Sequence, residues 1–152
     1  MTKFIISILI CQLVGVIGAF FTTPAISSWY KSLNKPTFNP PNWLFGPVWT
    51  LLYFLMGVSL YLVWNKKKSG QRKTALKFFT LQLILNSLWS IIFFGMRLPL
   101  LAFLEIIVLW FFILLTIKKF LPISKKSAYL LIPYLLWVTF ASILNFYIVK
   151  LN

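Results

Sequence analysis

The sequence contains one acidic residue, Glu105, and no histidine. A Ser-His-Asp triad and a pair of carboxylates for acid–base catalysis are therefore excluded. Zinc and non-haem iron sites lack ligands, and a haem would lack its usual axial histidine. No Walker A or dinucleotide-binding motif is present. We expect no metal and no cofactor, so any catalysis must use a ligand's own reactivity or redox-active tryptophan.

Charged residues are also scarce, and cysteine occurs once. Only 11% of the residues are charged and 61% are apolar, against about 25% and roughly 45–50% in soluble proteins. A soluble fold with this composition would have too little polar surface, whereas a bundle in lipid needs an apolar exterior. Cys11 cannot form an internal disulfide, and we interpret it as a small packing residue.

Five apolar runs, each about long enough to cross a bilayer, occupy most of the chain. They predict an all-α integral membrane protein, a single domain over residues 1–152 with a bundle of five transmembrane helices at about 4–23, 43–64, 75–95, 100–117 and 127–149. The first run is longer than a usual signal-peptide core, so we read it as a span. Four prolines should stiffen the loop at residues 24–41. Pro133 should kink the last helix near Tyr129.

The basic residues lie between the apolar runs. Eleven of the fifteen lysines and arginines fall at the N-terminus and in the second and fourth connections, and four fall on the other side. The positive-inside rule then places the N-terminus in the cytoplasm and the proline-rich loop on the opposite side. Because the charges form no single stripe, we expect contact with anionic lipid and no nucleic acid partner.

Three of the predicted helices carry aromatic and amide side chains on one face. Residues at helical spacing form these faces, and the members are Trp49, Tyr53, Met56, Gly57 and Leu60, then Gln82, Asn86, Trp89, Ser90 and Phe93, then Pro133, Trp137, Ala141 and Asn145, with Tyr134 beside the last group. Each face alone is compatible with ordinary helix packing. Three such faces beneath a stiff loop favour a ligand cavity, which is mostly apolar with a few polar groups.

Glu105 leaves two interpretations open. A carboxylate within a span is a candidate functional group. Its position near the start of the fourth span, eight residues after Arg97, favours instead a structural pair with that arginine or a carboxylate that reaches the interface.

Four motifs resemble those of the tryptophan-rich sensory protein, or translocator protein, family (TspO/MBR, including the peripheral-type benzodiazepine receptor). They are W-Y-x-x-L-x-K-P-x-x-x-P-P at 29–41, G-P-V-W-T-L-L-Y-x-x-M-G at 46–57, Q-L-x-L-N-x-x-W-S-x-x-F-F at 82–94 and P-Y-x-x-W-x-x-F-A-x-x-L-N at 133–145. They occur in order from the first loop to the C-terminus. The sequence departs from the common pattern at Phe38, where many members carry tryptophan.

The resemblance implies a five-helix bundle, commonly a homodimer, which binds porphyrins such as protoporphyrin IX between the helices. We expect it in a bacterial cell membrane. In some members the resemblance also implies sterol and benzodiazepine-type ligands. The ligand-binding residues that we expect on this basis are Tyr53, Asn86, Trp89, Tyr134, Trp137 and Ala141 in the helices, and Trp29 and Pro36 in the first loop. The family's proposed sterol motif matches Leu144, Tyr147 and Lys150, which equally fit an interfacial helix end.

Three functions remain open at this point. The first is a porphyrin-binding carrier, sensor or scavenger, because flat rings suit tryptophan and tyrosine faces. The second, also implied by the resemblance, is light-dependent porphyrin degradation through Trp49 and Trp137 as tentative catalytic residues. The third is a drug- or lipid-responsive protein that transports nothing itself.

Overall fold

The computed structural model describes all 152 residues, and every regular element in it is helical. The helices are α1 (Thr2–Ile26), α2 (Trp29–Ser32), α3 (Asn42–Trp64), α4 (Gly70–Ser90) with a π-helical extension (Ile91–Gly95), α5 (Pro99–Phe120), α6 (Lys125–Leu130) and α7 (Ile132–Leu151). Five segments are long and apolar enough to cross a bilayer, namely α1, α3, α4 with its extension, α5, and α6 with α7. The predicted class and number of spans are therefore confirmed.

Several helix boundaries differ from those predicted, and two of the differences have a visible hydrogen bond beside them. α1 continues past Pro24 to Ile26, and the Ser28 hydroxyl donates to the Pro24 carbonyl at 2.8 Å. α4 begins at Gly70, five residues earlier than its apolar run, because the Ser69 hydroxyl caps it by accepting from the Arg72 amide at 3.1 Å. Capping by a polar side chain adds a turn that hydropathy does not report.

The last span is interrupted at Leu131, two residues before Pro133. α6 ends at Leu130 and α7 starts at Ile132, with Pro133 in its first turn, where a missing amide costs little. The short α6 is held against α3 by reciprocal hydrogen bonds, in which Ser59 and Ser127 each donate to the other's backbone carbonyl at 2.8 Å. Small hydroxyl residues let the two backbones approach closely inside the bundle.

The connection from α4 to α5 is short. Its helix widens into a π-helical turn before Arg97, which adopts a left-handed backbone conformation with φ of 60°. The Leu98 amide then donates to the Ile92 carbonyl at 3.1 Å, which closes the helix end. The π turn rotates the side chains after Ser90 relative to a regular helix.

α1 and α3 run antiparallel and touch through glycines over half of their length. Phe4 meets Tyr61 with ring centroids 5.4 Å apart. A Cβ added at Gly57 would lie 2.8 Å from the Ile8 backbone, and one at Gly15 would lie 2.8 Å from the Tyr53 ring. Nothing lies within 4 Å of a Cβ added at Gly46, nearer the first loop. The two helices are thus in close contact at Gly57 and Gly15, whereas the space beside Gly46 is open.

The expectation for Glu105 is wrong. Its side chain is only 9% exposed, and neither carboxylate oxygen has a hydrogen-bond partner. Arg97 lies exposed in the α4–α5 connection. The helical face that carries Glu105 also carries Ala102, Ile106 and Leu109, all buried in the bundle. The carboxylate therefore neither pairs with the arginine nor reaches the interface, because its face of α5 turns inward.

Candidate functional site

A cavity of about 540 Å³ lies in the half of the bundle nearest the first loop. Its walls come from α1, α3, the end of α4 with the π turn, and α7, while α5 contributes nothing. Its lining residues include Gly15, Gly18, Ala19, Tyr30, Trp43, Gly46, Trp49, Tyr53, Trp89, Phe93, Trp137, Ala141 and Asn145. This volume is within the range of about 300–1,000 Å³ typical of small-molecule sites.

Aromatic rings form one wall of the cavity. Trp49 stacks on Tyr53 with centroids 5.5 Å apart and an interplanar angle of 30°. Trp137 meets Trp49 edge to face at 6.5 Å and 89°. The opposite side presents Trp89, stacked on Phe93 at 5.1 Å. Because packed rings have few free torsions, these surfaces are ready for a flat apolar ligand.

A buried hydrogen-bond network lies behind this wall. The Tyr53 hydroxyl donates to the Asn86 side-chain oxygen, and the Asn86 amide donates to the Tyr134 hydroxyl at 2.7 Å. Tyr134 in turn donates to the Gln82 oxygen at 2.7 Å. The network joins α3, α4 and α7 and fixes the orientation of Tyr53, the one member that lines the cavity.

A second polar connection fixes the Trp89 ring. The Trp89 indole donates to the Asn145 side-chain oxygen at 3.1 Å, and the Asn145 amide donates to the Pro99 carbonyl at 2.9 Å. These bonds tie α4, α7 and the start of α5 together. Each helix that contributes an aromatic face is therefore oriented by at least one buried amide.

The first loop closes the cavity at its outer end. Tyr30 is 3% exposed, and its hydroxyl donates to the Asn39 side chain at 2.8 Å. Burial raises the pKa of Tyr30 to about 12, and the hydrogen bond to Asn39 lowers it to a smaller extent. The Lys35 ammonium donates to the Tyr30 and Leu33 carbonyls at 2.8 and 3.0 Å. The loop is thus a hydrogen-bonded cover.

The loop is also tied to the last residues of α7. The Asn34 backbone amide donates to the Asn152 side-chain oxygen at 3.0 Å, and the Asn152 side-chain amide donates back to the Asn34 backbone carbonyl at 2.8 Å. Phe38 packs edge to face on Tyr147 at 5.4 Å. These contacts hold the cover over the helix ends.

The structure brings most of the predicted site residues to one cavity. Trp49, Tyr53, Trp89, Trp137 and Ala141 line it directly. Asn86 and Tyr134 stand behind its wall in the Tyr53 network. Trp29 and Pro36 belong to the cover without lining the cavity, and Trp29 packs on Phe93 at 5.6 Å.

The residues of the predicted sterol motif are divided between two places. Leu144 is buried and lines the cavity. Tyr147 and Lys150 lie outside it, where the Lys150 ammonium sits 5.9 Å from the centre of the Tyr147 ring. Phe38 of the first loop also contacts Tyr147, whose side chain remains exposed.

Sequence reasoning missed the α1 wall entirely. Small residues at spacings of three and four build it, namely Gly15, Gly18, Ala19 and Thr22. Their spacing on one helical face is the signal that would have found them, since small residues in spans mark close approach or open space. No charged side chain lines the cavity, so its polarity comes from amides, hydroxyls and indoles alone.

Comparison with known proteins gives one consistent result. The model of the TspO/MBR family matches residues 7–151. The tryptophan-rich protein TspO of Archaeoglobus fulgidus is 49% identical over 150 residues, covering 99% of this chain and 97% of that protein. The protein of the same name from Chlorobaculum tepidum is 46% identical over 144 residues, covering 94% and 91%.

More distant relatives include animal proteins. The translocator protein of Homo sapiens is 36% identical over 132 residues, covering 86% of this chain and 78% of that protein. The family match over residues 7–151 includes the helices that build the cavity. The chain is a multi-pass membrane protein that belongs to the TspO/MBR family.

Proposed function

We propose that this protein binds porphyrins such as protoporphyrin IX in the aromatic cavity and acts in tetrapyrrole transport, sensing or scavenging. Sterols and benzodiazepine-type compounds are further candidate ligands of the same cavity. We also propose that the protein is a homodimer in a bacterial cell membrane, with its N-terminus in the cytoplasm.

One observation carries the proposal: flat faces of Trp49, Tyr53, Trp89 and Trp137 line one cavity of about 540 Å³. Offset and edge-on aromatic contacts each add about 0.5–1.5 kcal/mol beyond burial. A planar macrocycle can use several such faces at once. Because no charged side chain lines the cavity, the acidic substituents of a porphyrin should lie at its exposed edge, beside α1 and α3.

A binding titration with a cavity-filling variant tests the proposal. Purified protein should change the absorbance spectrum of protoporphyrin IX in a saturable way. Ala141→Phe should weaken binding by about tenfold, since it puts a ring into the cavity. Leu136→Phe, on the lipid-exposed face of the same helix, should bind like the unmodified protein. Equal affinities in both variants would contradict the assignment to this cavity.

A second candidate function is light-dependent porphyrin degradation. The supporting observation is the edge-to-face contact between Trp49 and Trp137, 6.5 Å between ring centroids, at the cavity wall. An excited porphyrin beside these rings would have two oxidisable indoles in reach. Illumination of the bound complex, followed by a search for a new chromophore, tests this activity separately from binding.

A further inference from the structure

The cavity has an opening, and its edges identify where that opening lies. Seven of its lining residues are exposed, and all of them belong to α1 or α3: Val16, Ala19, Thr23, Asn42, Trp43, Gly46 and Thr50. The lining residues of α4 and α7 are buried or half-buried. The opening therefore lies between α1 and α3, on the side of the bundle.

The antiparallel register explains why the opening forms there. Phe4 pairs with Tyr61, and Ile8 with Gly57. Continuing this register brings Ala19 opposite Gly46, two residues whose side chains fill almost no space. Whereas Gly57 is in tight contact with α1, nothing lies within 4 Å of a Cβ built at Gly46. The close contact between α1 and α3 at Gly57 thus gives way to an open space at Gly46, nearer the first loop.

The edges of the gap are chemically suited to lipid. The Thr22 hydroxyl donates to the Gly18 carbonyl at 2.9 Å, and the Thr50 hydroxyl donates to the Gly46 carbonyl at 2.9 Å. The Gln12 amide donates to the Thr50 carbonyl at 3.2 Å and marks the inner end of the opening. The two threonine hydroxyls are satisfied within their own helices and the Gln12 amide is satisfied across them, which lowers the desolvation penalty of these groups in hydrocarbon.

We propose that the opening between α1 and α3 is a lateral portal through which a membrane-dissolved, flat amphiphilic ligand passes between the bilayer and the cavity. This inference rests on the proposed function for the identity of the ligand. The outer end of the cavity is covered by the hydrogen-bonded first loop, so the side opening is the free route. Trp43, which is 71% exposed, lies at the interfacial end of the portal.

A plug at Gly46 tests the route kinetically. Nothing lies within 4 Å of a Cβ added at Gly46, so the side chain of Gly46→Phe starts in open space and the bundle should fold normally. In liposomes it should slow both uptake and release of protoporphyrin IX by about tenfold, because an obstructed passage alters both rates together, whereas a ring that merely fills the cavity should speed release. Leu51→Phe, exposed on another face of α3, should keep unmodified rates. Unchanged rates in Gly46→Phe, or weaker binding caused by faster release alone, would overturn the portal.

A ligand-free measurement separates the portal from the proposed function. A spin label at Gly46→Cys, in a Cys11→Ala background, should collide with oxygen and not with a water-soluble nickel chelate, as a label at Leu51→Cys does. Access for the chelate alone would overturn the portal. Spin–spin broadening between copies would also overturn it, by making this surface a subunit interface. If unmodified protein binds no porphyrin, the proposed function fails, and this label still decides where the cavity opens.

Discussion

Asn86 lies inside the bundle and is linked to the cavity through the hydroxyl of Tyr53. Its oxygen accepts from Tyr53, the ring that stacks on Trp49. We predict that Asn86→Leu weakens porphyrin binding by about fivefold, equivalent to about 1 kcal/mol, because the Tyr53 hydroxyl loses its acceptor and the ring its fixed position. Absorbance titration of the purified variant provides the measurement.

A double-mutant cycle identifies the mechanism behind that loss. If Asn86 acts by positioning Tyr53, Tyr53→Phe should produce part of the same loss, and the double variant should lose less than the sum. Strictly additive effects would mean that Asn86 acts on the ligand directly. Unmodified affinity in Asn86→Leu would remove the residue from the site altogether.

The indoles of Trp49 and Trp137 at the cavity wall can each be tested by substitution. Trp137→Phe preserves a ring of similar shape but is much harder to oxidise. If tryptophan supports light-driven degradation, the variant should bind protoporphyrin IX and lose most of the illuminated breakdown. Trp49→Phe is the companion variant. Breakdown at unmodified rates in both would exclude the two residues from any photochemistry.

Tyr30 makes the cover over the cavity sensitive to alkali. Its pKa is raised from 10.0 to about 12 by burial, and a raised pKa means that stability is present below pH 10 and lost as pH rises through 12. We predict that the cover loosens in this window as the phenol ionises. Tyr30→Phe should remove this component, which is measurable as the difference between the tyrosinate absorbance titrations of the two proteins.

At the scale of helices, the close contact between α1 and α3 depends on glycine. Gly57→Val should lower the stability of the bundle by about 1–3 kcal/mol, because its Cβ meets the Ile8 backbone, which cannot move without α1. Gly46→Ala on the same helix has open space and should be nearly neutral. Thermal unfolding in one detergent compares them. Equal midpoints would show that the two helices are not held at Gly57.

The sequence predicted the helices and three of the four cavity walls, and the reasons are physical. The walls of α3, α4 and α7 carry tryptophan and amides, which stand out in an apolar run. The α1 wall is made of Gly15, Gly18 and Ala19, whose contribution is missing volume and leaves no mark in hydropathy. Nor could hydropathy place Glu105, because pairing with Arg97 depends on which way each turn of α5 faces.

The distribution of charge predicts the orientation of the whole molecule in the membrane. Eleven basic residues lie at the end of the bundle opposite the cavity. We predict that a cysteine at Lys67, in a Cys11→Ala background, is protected from an impermeant thiol reagent in intact cells, whereas one at Lys31 reacts. Each variant removes one exposed lysine, so the two are matched. Reaction at Lys67 with protection at Lys31 would reverse the orientation.

The helices differ in how much of their surface the bundle covers, and this has a consequence for biogenesis. α1 is among the most apolar spans, with a mean hydropathy of 2.6 over 18 residues, yet only 17% of those residues are buried. For α4 with its π turn, the mean hydropathy over 18 residues is 1.6, and 39% of them are buried. α1 is thus suited to insert on its own and to dock late, whereas α4 depends on its neighbours. The cavity then becomes complete only when this first-synthesised helix returns to the assembled others.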